Sequence, residues 1–322
     1  MASRVTRPLR SGDRGWRPPA PPAGRQRPGT GRATPYLFLA PFGVLFVGFV
    51  LLPAVFGIWV SLHNYDYLLP RKPWAGLQNY LELFQRGSLD GANFWQSMRV
   101  TGIFTVTSVP FLVCCPLAVA LLLNRRLPGR AFFRAVFFAP YVLGVVTVGL
   151  LFRYLLDPDI GLLNFYLNKL GIHQAIPWTT AVPWAWVSLV GMTVWWTLGF
   201  NAVIFLAGLQ DIPRTLYEAA WVDGASTWQA FRHVTLPGLR PVMAFVTTVT
   251  ILASANMFGQ AWITMNHGGP ANATRTAIMY IATTGLTEYR QGAAAAMSYL
   301  FAALLMIVSV LNFRLVQRRV AQ

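Results

Sequence analysis

The residues that could carry out nucleotide or metal chemistry are few in this chain, and their spacing forms no recognisable site. A P-loop needs a glycine-rich loop that ends in a lysine, but the two lysines, Lys72 and Lys169, are followed by proline and leucine and end no such motif. The two cysteines are adjacent in an apolar run and the four histidines are scattered over loops, so no metal-ligand spacing exists. No nucleophile with a base and no pair of carboxylates stands in a credible position. The sequence predicts a protein that is not an enzyme and has no metal or cofactor of its own.

Composition indicates a membrane protein. Of the 322 residues, 55% are hydrophobic and only 11% are charged. A helix needs about 20 apolar residues to cross the hydrocarbon core of a bilayer. Six runs without charge are close to or beyond this length: Tyr36–Leu62, Val100–Asn124, Ala135–Phe152, Trp184–Gln210, Pro241–Asn266 and Gln291–Phe313. The sequence therefore predicts an all-α polytopic membrane protein with six transmembrane helices.

The arginines predict the orientation of these helices, because positively charged loops stay on the cytoplasmic side. Of the 26 lysines and arginines, 18 lie in four segments: the tail before Tyr36, the loops Arg125–Arg134 and Gln210–Arg240, and the end after Phe313. Both termini are therefore predicted to be cytoplasmic, as is the loop between the fourth and fifth runs. Residues 1–35 are rich in arginine, proline and glycine, which favours a disordered tail that touches anionic lipid over a nucleic-acid-binding region.

The loop at 211–239 is patterned as two short amphipathic helices. Asp211 is expected to cap the first helix, with Pro213 inside its first turn. Gly224 is expected to end that helix, because glycine accepts the left-handed conformation of a helix stop. Ser226 and Gln229 have the spacing of a capping box at the start of the second helix. The pair is too short to fold as a domain, which indicates a partner surface.

This loop resembles the EAA signature of the membrane subunits of binding-protein-dependent ABC importers. The match consists of Glu218-Ala219-Ala220, then Gly224, then Val234-Thr235-Leu236-Pro237, with valine where the family prefers isoleucine. The resemblance implies that the loop is a coupling helix seated in a groove of a cytoplasmic ATPase. The alternative is an interfacial helix pair that lies on the bilayer. The residues that the resemblance assigns to ATPase coupling are Glu218, Ala219, Ala220, Asp223, Gly224, Val234, Leu236 and Pro237.

Further motifs resemble the carbohydrate-uptake, maltose-type branch of this family. They are the GLQNY segment that starts at Gly76, the step from Gly129 to Pro140, and an outer loop with Gly268-Gly269-Pro270. The resemblance covers about Tyr36 to Arg319 and implies a type I ABC importer-like core, which residues 36–319 would form. It also implies that Gly268, Gly269 and Pro270 face an extracellular or periplasmic solute-binding protein.

Polar residues inside the apolar runs are candidates for the translocation path, since such groups are costly unless they face a bundle or a wet cavity. The alternative for each is a hydrogen bond that only holds helices together. Ser254 and Asn256 are two residues apart and cannot share one narrow helical face. The candidates are Asn201, Ser254, Asn256 and Gln260.

The resemblance implies a multi-pass permease in the plasma membrane of a bacterium, forming half of the path for a sugar or oligosaccharide. Its implied partners are a second, non-identical permease, two copies of a cytoplasmic ATPase that binds ATP and Mg, and the binding protein. No cationic residue lies in the apolar runs, which favours a neutral sugar over a phosphorylated solute. The alternatives are a permease for a polyol, glycerol phosphate or peptide, or a membrane scaffold or enzyme without a transport role.

Overall fold

The computed structural model describes residues 34–125 and 128–320, and most of these residues are in helices. The predicted tail at 1–35 lies outside the described residues except for Thr34 and Pro35, which begin the first helix. The helices in chain order are α1 Thr34–Phe46, α2 Leu52–Ser61, α3 Gln78–Glu82, α4 Leu89–Asn124, α5 Arg130–Val142, α6 Val145–Leu155, α7 Leu162–Lys169, α8 Trp184–Asp211, α9 Arg214–Val222, α10 Thr227–Gly238, α11 Arg240–Ala255, α12 Gly259–Thr264, α13 Ala277–Thr287 and α14 Gln291–Val320.

The chain forms two compact units. The boundary lies within α2, where the first unit ends at Ala54 and the second begins at Val55. In the first unit, α1 passes into a π-helical segment, Val47–Leu51, and from there into α2. The second unit contains all the helices from α3 onwards.

Four helical segments are long and apolar enough to cross a membrane, and they match four of the six predicted runs. They are Tyr36–Ser61, Leu89–Asn124, Trp184–Asp211 and Gln291–Asn312. Two bent pairs, α5 with α6 and α10 with α11, raise the number of spans to as many as six among the described residues if each pair counts as one. The prediction of an all-α polytopic membrane protein is confirmed.

The third predicted run, Ala135–Phe152, is not one straight helix. The chain turns by 95° between α5 and α6, and both Leu143 and Gly144 have extended backbone there. Pro140 lies in the last turn of α5 and cannot donate a hydrogen bond to the carbonyl of Val136, which weakens that turn. The indole of Trp196 donates to the carbonyl of Leu143 at 3.0 Å, so a side chain of α8 satisfies an exposed backbone acceptor.

The fifth predicted run, Pro241–Asn266, is also interrupted. Helix α11 ends at Ala255, Asn256 follows as its C-cap, and α12 resumes at Gly259. At its other end α11 meets α10 at an angle of 66°. A charge-free run predicts apolar surroundings, but it carries no information about backbone breaks of this kind.

Helices α4 and α8 form the centre of the second unit. One buried cluster joins the ends of these two helices to α10 and α11, and includes Leu123, Phe205, Leu209, Ile212 and Leu239. A second cluster joins the opposite half of α8 to α6 and α12. The first cluster lies directly beneath the loop that carries the EAA-like motif, so packing of the bundle fixes the base of that loop.

Gly199 allows α8 to pass directly against α5. A Cβ atom at this position would lie 2.1 Å from the carbonyl oxygen of Phe137, closer than any contact real side chains make. Small residues permit such approach of helix backbones in membrane bundles. Glycine is therefore required at this crossing, and the crossing fixes the first half of the broken span.

Candidate functional site

The first half of the EAA-like loop is α9, which ends as the sequence predicts. Gly224 has φ of +76°, and its amide donates to the carbonyl of Trp221 at 3.1 Å. The amide of Ala225 donates to the carbonyl of Ala220 at 2.9 Å. These two bonds form a Schellman motif, which satisfies carbonyls that the helix end leaves free. The expected helix stop at Gly224 is confirmed.

The second half is α10, and its start is also as predicted. The hydroxyl of Ser226 accepts from the amide of Gln229 at 3.3 Å, while the side chain of Gln229 accepts from the amide of Ser226 at 2.7 Å. This is a complete capping box. It fixes the direction of the chain immediately after Gly224, so the turn between the two helices is specified by local chemistry on both sides.

The expected cap at the start of α9 is wrong. Asp211 is the last residue of α8, and Pro213 occupies the N-cap position of α9 without a side-chain hydrogen bond. The apolar packing of α8 continues through Leu209 to Ile212, which is buried, so the helix runs on to Asp211. Tertiary packing here overrides the spacing that favoured a cap.

The two short helices are braced against each other and against the bundle. The hydroxyls of Tyr217 on α9 and Thr235 on α10 are 2.9 Å apart and share a hydrogen bond. Val234 and Leu236 pack on the buried cluster at the ends of α4 and α8. Thr235 itself is 5% exposed. The arrangement of the two helices is thus held by a hydrogen bond between them and by apolar packing on the bundle.

The residues assigned to ATPase coupling fall into two groups. Glu218, Ala219, Asp223 and Gly224 are exposed, and Ala220 is half-buried. The remaining three are half-buried on α10: Val234, Leu236 and Pro237. The first part of the motif therefore offers accessible surface, whereas the second part attaches that surface to the bundle.

Two of the four candidate path residues hold helices together. The amide of Asn201 on α8 donates to the carbonyl oxygen of Leu112 on α4 at 3.1 Å. In a regular helix that carbonyl would accept from residue 116, which is Pro116 and has no N–H. The hydroxyls of Ser108 and Ser254 are 3.3 Å apart and link α4 to α11. Both Asn201 and Ser254 are buried, which favours the structural alternative for them.

The other two candidates remain accessible. Asn256 is exposed, and among the described residues its side-chain amide donates only to the carbonyl of Leu252 on its own helix, at 2.7 Å. Gln260 is half-buried at the start of α12. Both residues flank the break between α11 and α12, where the surface of this chain leaves polar side chains of an apolar run uncovered.

The predicted binding-protein-facing residues lie at the base of their loop. Gly268 is buried, with φ of +102°, and Gly269 and Pro270 are half-buried. The hydroxyl of Thr274 donates to the carbonyl of Gly269 at 2.6 Å, which closes the loop on itself. The exposed tip consists of the next two residues, Ala271 and Asn272.

A polar network at the same end of the bundle was not predicted. Asp90 on α4 accepts from both terminal nitrogens of Arg290, which precedes α14, and one of these bonds measures 2.9 Å. The hydroxyl of Tyr280 donates to the same carboxylate at 3.2 Å. Hydrogen bonding to Asp90 raises the pKa of the Arg290 guanidinium, and burial opposes this effect. Nearby, Arg275 donates to Asn93 at 3.0 Å.

Comparison with known proteins identifies the family. Residues 92–322 match the model of the binding-protein-dependent transport system inner membrane component. The chain belongs to this family. It is therefore a membrane-spanning permease of a transport system that depends on a binding protein, as the EAA-like loop implied, and the predictions of family and of a transport role in place of an enzymatic one are confirmed.

Relatives of the permease cover nearly its whole length. It is 33% identical over 289 residues to the trehalose/maltose transport system permease protein MalF of Thermococcus litoralis, covering 89% of this chain and 93% of the relative. It is 31% identical to the arabinooligosaccharides transport system permease protein AraP of Bacillus subtilis, over 88% of both chains. It is also 31% identical to the lactose transport system permease protein LacF of Rhizobium radiobacter, over 88% of this chain and 94% of the relative.

Solved structures support the fold of the permease. A chain of a bacterial ABC transporter involved in the import of the acidic polysaccharide alginate matches with a TM-score of 0.73 at 24% identity, covering 88% of this chain and 94% of that one. A chain of the alginate transporter in complex with a pentasaccharide-bound periplasmic protein matches with a TM-score of 0.76 at 22% identity, covering 89% and 94%. The predicted ABC importer-like core is confirmed.

Proposed function

We propose that this permease forms half of the translocation path of an ATP-driven sugar importer in a bacterial plasma membrane. The observation that carries the proposal is the exposed face of α9, with Glu218 and Ala219, on a helix pair that is braced internally and packed on the bundle. A surface that receives force from a separate motor must be accessible on one side and firmly attached on the other. The chain has no P-loop, so ATP and Mg bind to the partner ATPase.

The partners follow from this arrangement. Two copies of the ATPase lie on the cytoplasmic side, one beneath α9 and α10 of this chain and the other beneath the equivalent loop of a second, non-identical permease. Both termini of the chain are cytoplasmic, because most of the arginines lie in the tail, in alternate loops and at the end. Glu218 makes a polar or ionic contact with the ATPase, and Ala219 and Ala220 allow close seating.

The solute is a sugar or oligosaccharide delivered by the binding protein. Support comes from the relatives, whose names record trehalose/maltose, arabinooligosaccharides and lactose. Asn256 and Gln260 line part of the path, since both are accessible at a break inside an apolar run. The outer loop whose base is Gly268–Pro270 presents Ala271 and Asn272 to the binding protein. A polyol, glycerol phosphate or peptide is the alternative solute.

Site-directed cross-linking tests the coupling surface and the orientation together. Cys114 and Cys115 are first replaced by serine, and Glu218→Cys or Asn272→Cys is then introduced into separate chains. We expect Glu218→Cys to cross-link to the co-expressed ATPase and to resist membrane-impermeant maleimide applied to intact cells. Asn272→Cys, an exposed site in the outer loop, should show the opposite pattern. External labelling of Glu218→Cys, or no cross-link to the ATPase, would refute the proposal.

A further inference from the structure

A cavity of about 1080 Å³ lies between α9 and α10, called here the coupling helices, and the ends of α4 and α8. Its inner wall is apolar and includes Leu121, Leu209 and Ile212. The two helices α4 and α8 are long and apolar enough to cross a membrane and end at Asn124 and Asp211, so we expect the cavity to be at the level where these spans leave the bilayer. That level is the interface between acyl chains and polar lipid groups.

The charge of the cavity wall has one sign. Arg125, Arg130 and Arg214 line the cavity, and none of its lining residues is acidic. Arg130 donates to the carbonyls of Leu123 and Asn124 at the end of α4, at 3.0 to 3.2 Å. Within the part of the chain that the structure describes, the guanidinium groups of Arg125 and Arg214 form no ion pair or hydrogen bond. Two exposed guanidiniums are therefore available to a phosphate.

Aromatic rings complete the wall opposite the bundle. Trp221 and Trp228, 62% and 67% exposed, both border the cavity, together with Phe231. Tryptophan is enriched at the level of lipid headgroups, where an amphipathic ring meets both apolar and polar surroundings. Arginine pairs with phosphate through two parallel hydrogen bonds. The arginines suit a lipid phosphate, the tryptophans suit the headgroup level, and the apolar wall suits an acyl chain.

The cavity is separate from the surface proposed for the ATPase. On α9, Arg214, Tyr217 and Trp221 line the cavity, and their spacing of three and four residues places them on one helical face. Glu218 and Val222 do not line it and are exposed, with Val222 88% exposed. One helix thus presents two faces, of which one is available to a protein partner and the other faces this basic, apolar space.

We propose that the cavity binds an anionic phospholipid, with its phosphate between Arg125 and Arg214 and its glycerol and upper acyl chain beside Trp221 and Trp228. Basic pockets between transmembrane helices bind anionic headgroups in this way. The lipid fills the space under the coupling helices and supports them from the membrane side. It is a third element that fixes their position, beside the Tyr217–Thr235 bond and the packing of Val234 and Leu236.

The test measures lipid binding to the purified full-length chain by native mass spectrometry, with phosphatidylglycerol and phosphatidylcholine as probes. The wild-type chain should bind phosphatidylglycerol more tightly than phosphatidylcholine. Each arginine should contribute roughly fivefold to that difference, so Arg125→Gln with Arg214→Gln should weaken phosphatidylglycerol binding by roughly 25-fold. Phosphatidylcholine has the same phosphate but no net charge, so its binding should weaken much less.

Matched variants separate a site from general electrostatic attraction. Arg71→Gln with Arg86→Gln removes the same charge from two exposed residues outside the cavity, and we expect wild-type binding. Arg125→Lys with Arg214→Lys retains the charge and should retain most of the preference, which guards against loss through misfolding. An equal effect of both glutamine pairs, or none from the cavity pair, overturns the proposal.

In a competition experiment, inorganic phosphate or glycerol phosphate is added at millimolar concentration to the chain with bound phosphatidylglycerol. We expect neither to displace phosphatidylglycerol, because the apolar wall contributes to lipid binding. Displacement by either would assign the site to a soluble anion and overturn the lipid assignment. The assay contains no ATPase, binding protein or sugar, so its result stands apart from that of the importer proposal.

Discussion

The side-chain amide of Asn201 replaces the backbone donor that Pro116 removes from the carbonyl oxygen of Leu112. This bond joins α4 to α8 at the centre of the second unit. A carbonyl without a donor is costly inside a membrane, where no water is available. The polar residue and the proline are two halves of one structural device, separated by 85 positions in the sequence.

This device predicts non-additive stability changes. Asn201→Leu should lower the free energy of unfolding of the purified chain by about 1 kcal/mol, since Leu112 then lacks a donor. In the background of Pro116→Ala, which restores a backbone N–H, the same change should cost much less. Thermal unfolding in detergent measures all four proteins. Asn256→Leu, at an exposed residue that bonds only its own helix, is the control, and additivity of the first two changes would contradict the interpretation.

The left-handed backbone at Gly224 is expected to be required for coupling. Gly224→Val forces a β-branched residue into φ of +76° and disrupts the Schellman motif. The variant should still insert in the membrane but should lose most ATP-driven uptake. Asparagine tolerates the left-handed conformation, so Gly224→Asn should retain much of the ATP-driven uptake. Uptake by reconstituted importer, normalised to the amount of inserted chain, provides the measurement; wild-type uptake by the valine variant would show that the turn has no role in coupling.

The hydrogen bond between Tyr217 and Thr235 should affect the efficiency of coupling more than stability. Tyr217→Phe retains the ring and removes only the hydroxyl, for a loss of about 1 kcal/mol in the free energy of unfolding. Because the bond braces α9 against α10, we expect fewer sugar molecules imported per ATP hydrolysed. Thr235→Val should have the same effect, and the double variant should be no worse than either single one. Fully additive losses would argue against a shared bond.

The contact between Asp90 and Arg290 is expected to stabilise the end of the bundle that carries the outer loop. Asp90→Asn removes the ionic bond to Arg290 and weakens the acceptor for Tyr280. Since the Arg290 side chain is 46% exposed, the expected loss is modest, about 1 kcal/mol. The control is Glu288→Gln, which makes the same charge change at a neighbouring acid. Glu288 forms no ion pair within the described residues. Equal thermal shifts for both variants would reduce the contact to a general charge effect.

Local chemistry was readable from the sequence, whereas contacts between distant segments were not. Gly224 and the Ser226–Gln229 box depend on neighbours within a few positions, and both are formed as predicted. Asp211 has the residue type of a cap, but buried Ile212 carries α8 past the expected end. Sequence spacing contains the local rule and omits the packing that competes with it.

The polar residues of the apolar runs show the same limit. Asn201 was visible as a costly group, and Pro116 as a missing donor, yet nothing in the sequence states that they serve each other. The pair formed by Asp90 and Arg290 spans 200 positions, and no periodic pattern links such residues. The break at Leu143 and Gly144 is likewise hidden, because residues on both sides of it are apolar.

The shortness of the connections at the coupling helices has a mechanical consequence. Only Ile212 and Pro213 separate α8 from α9, and only Leu239 separates α10 from α11. Ile212 and Leu239 are both buried, and the ring of Pro213 restricts its own backbone. Connections this short and restricted allow little bending between the helices that they join. We therefore expect displacement of α9 to rotate α8 and α11, the two helices that carry Asn201 and Ser254.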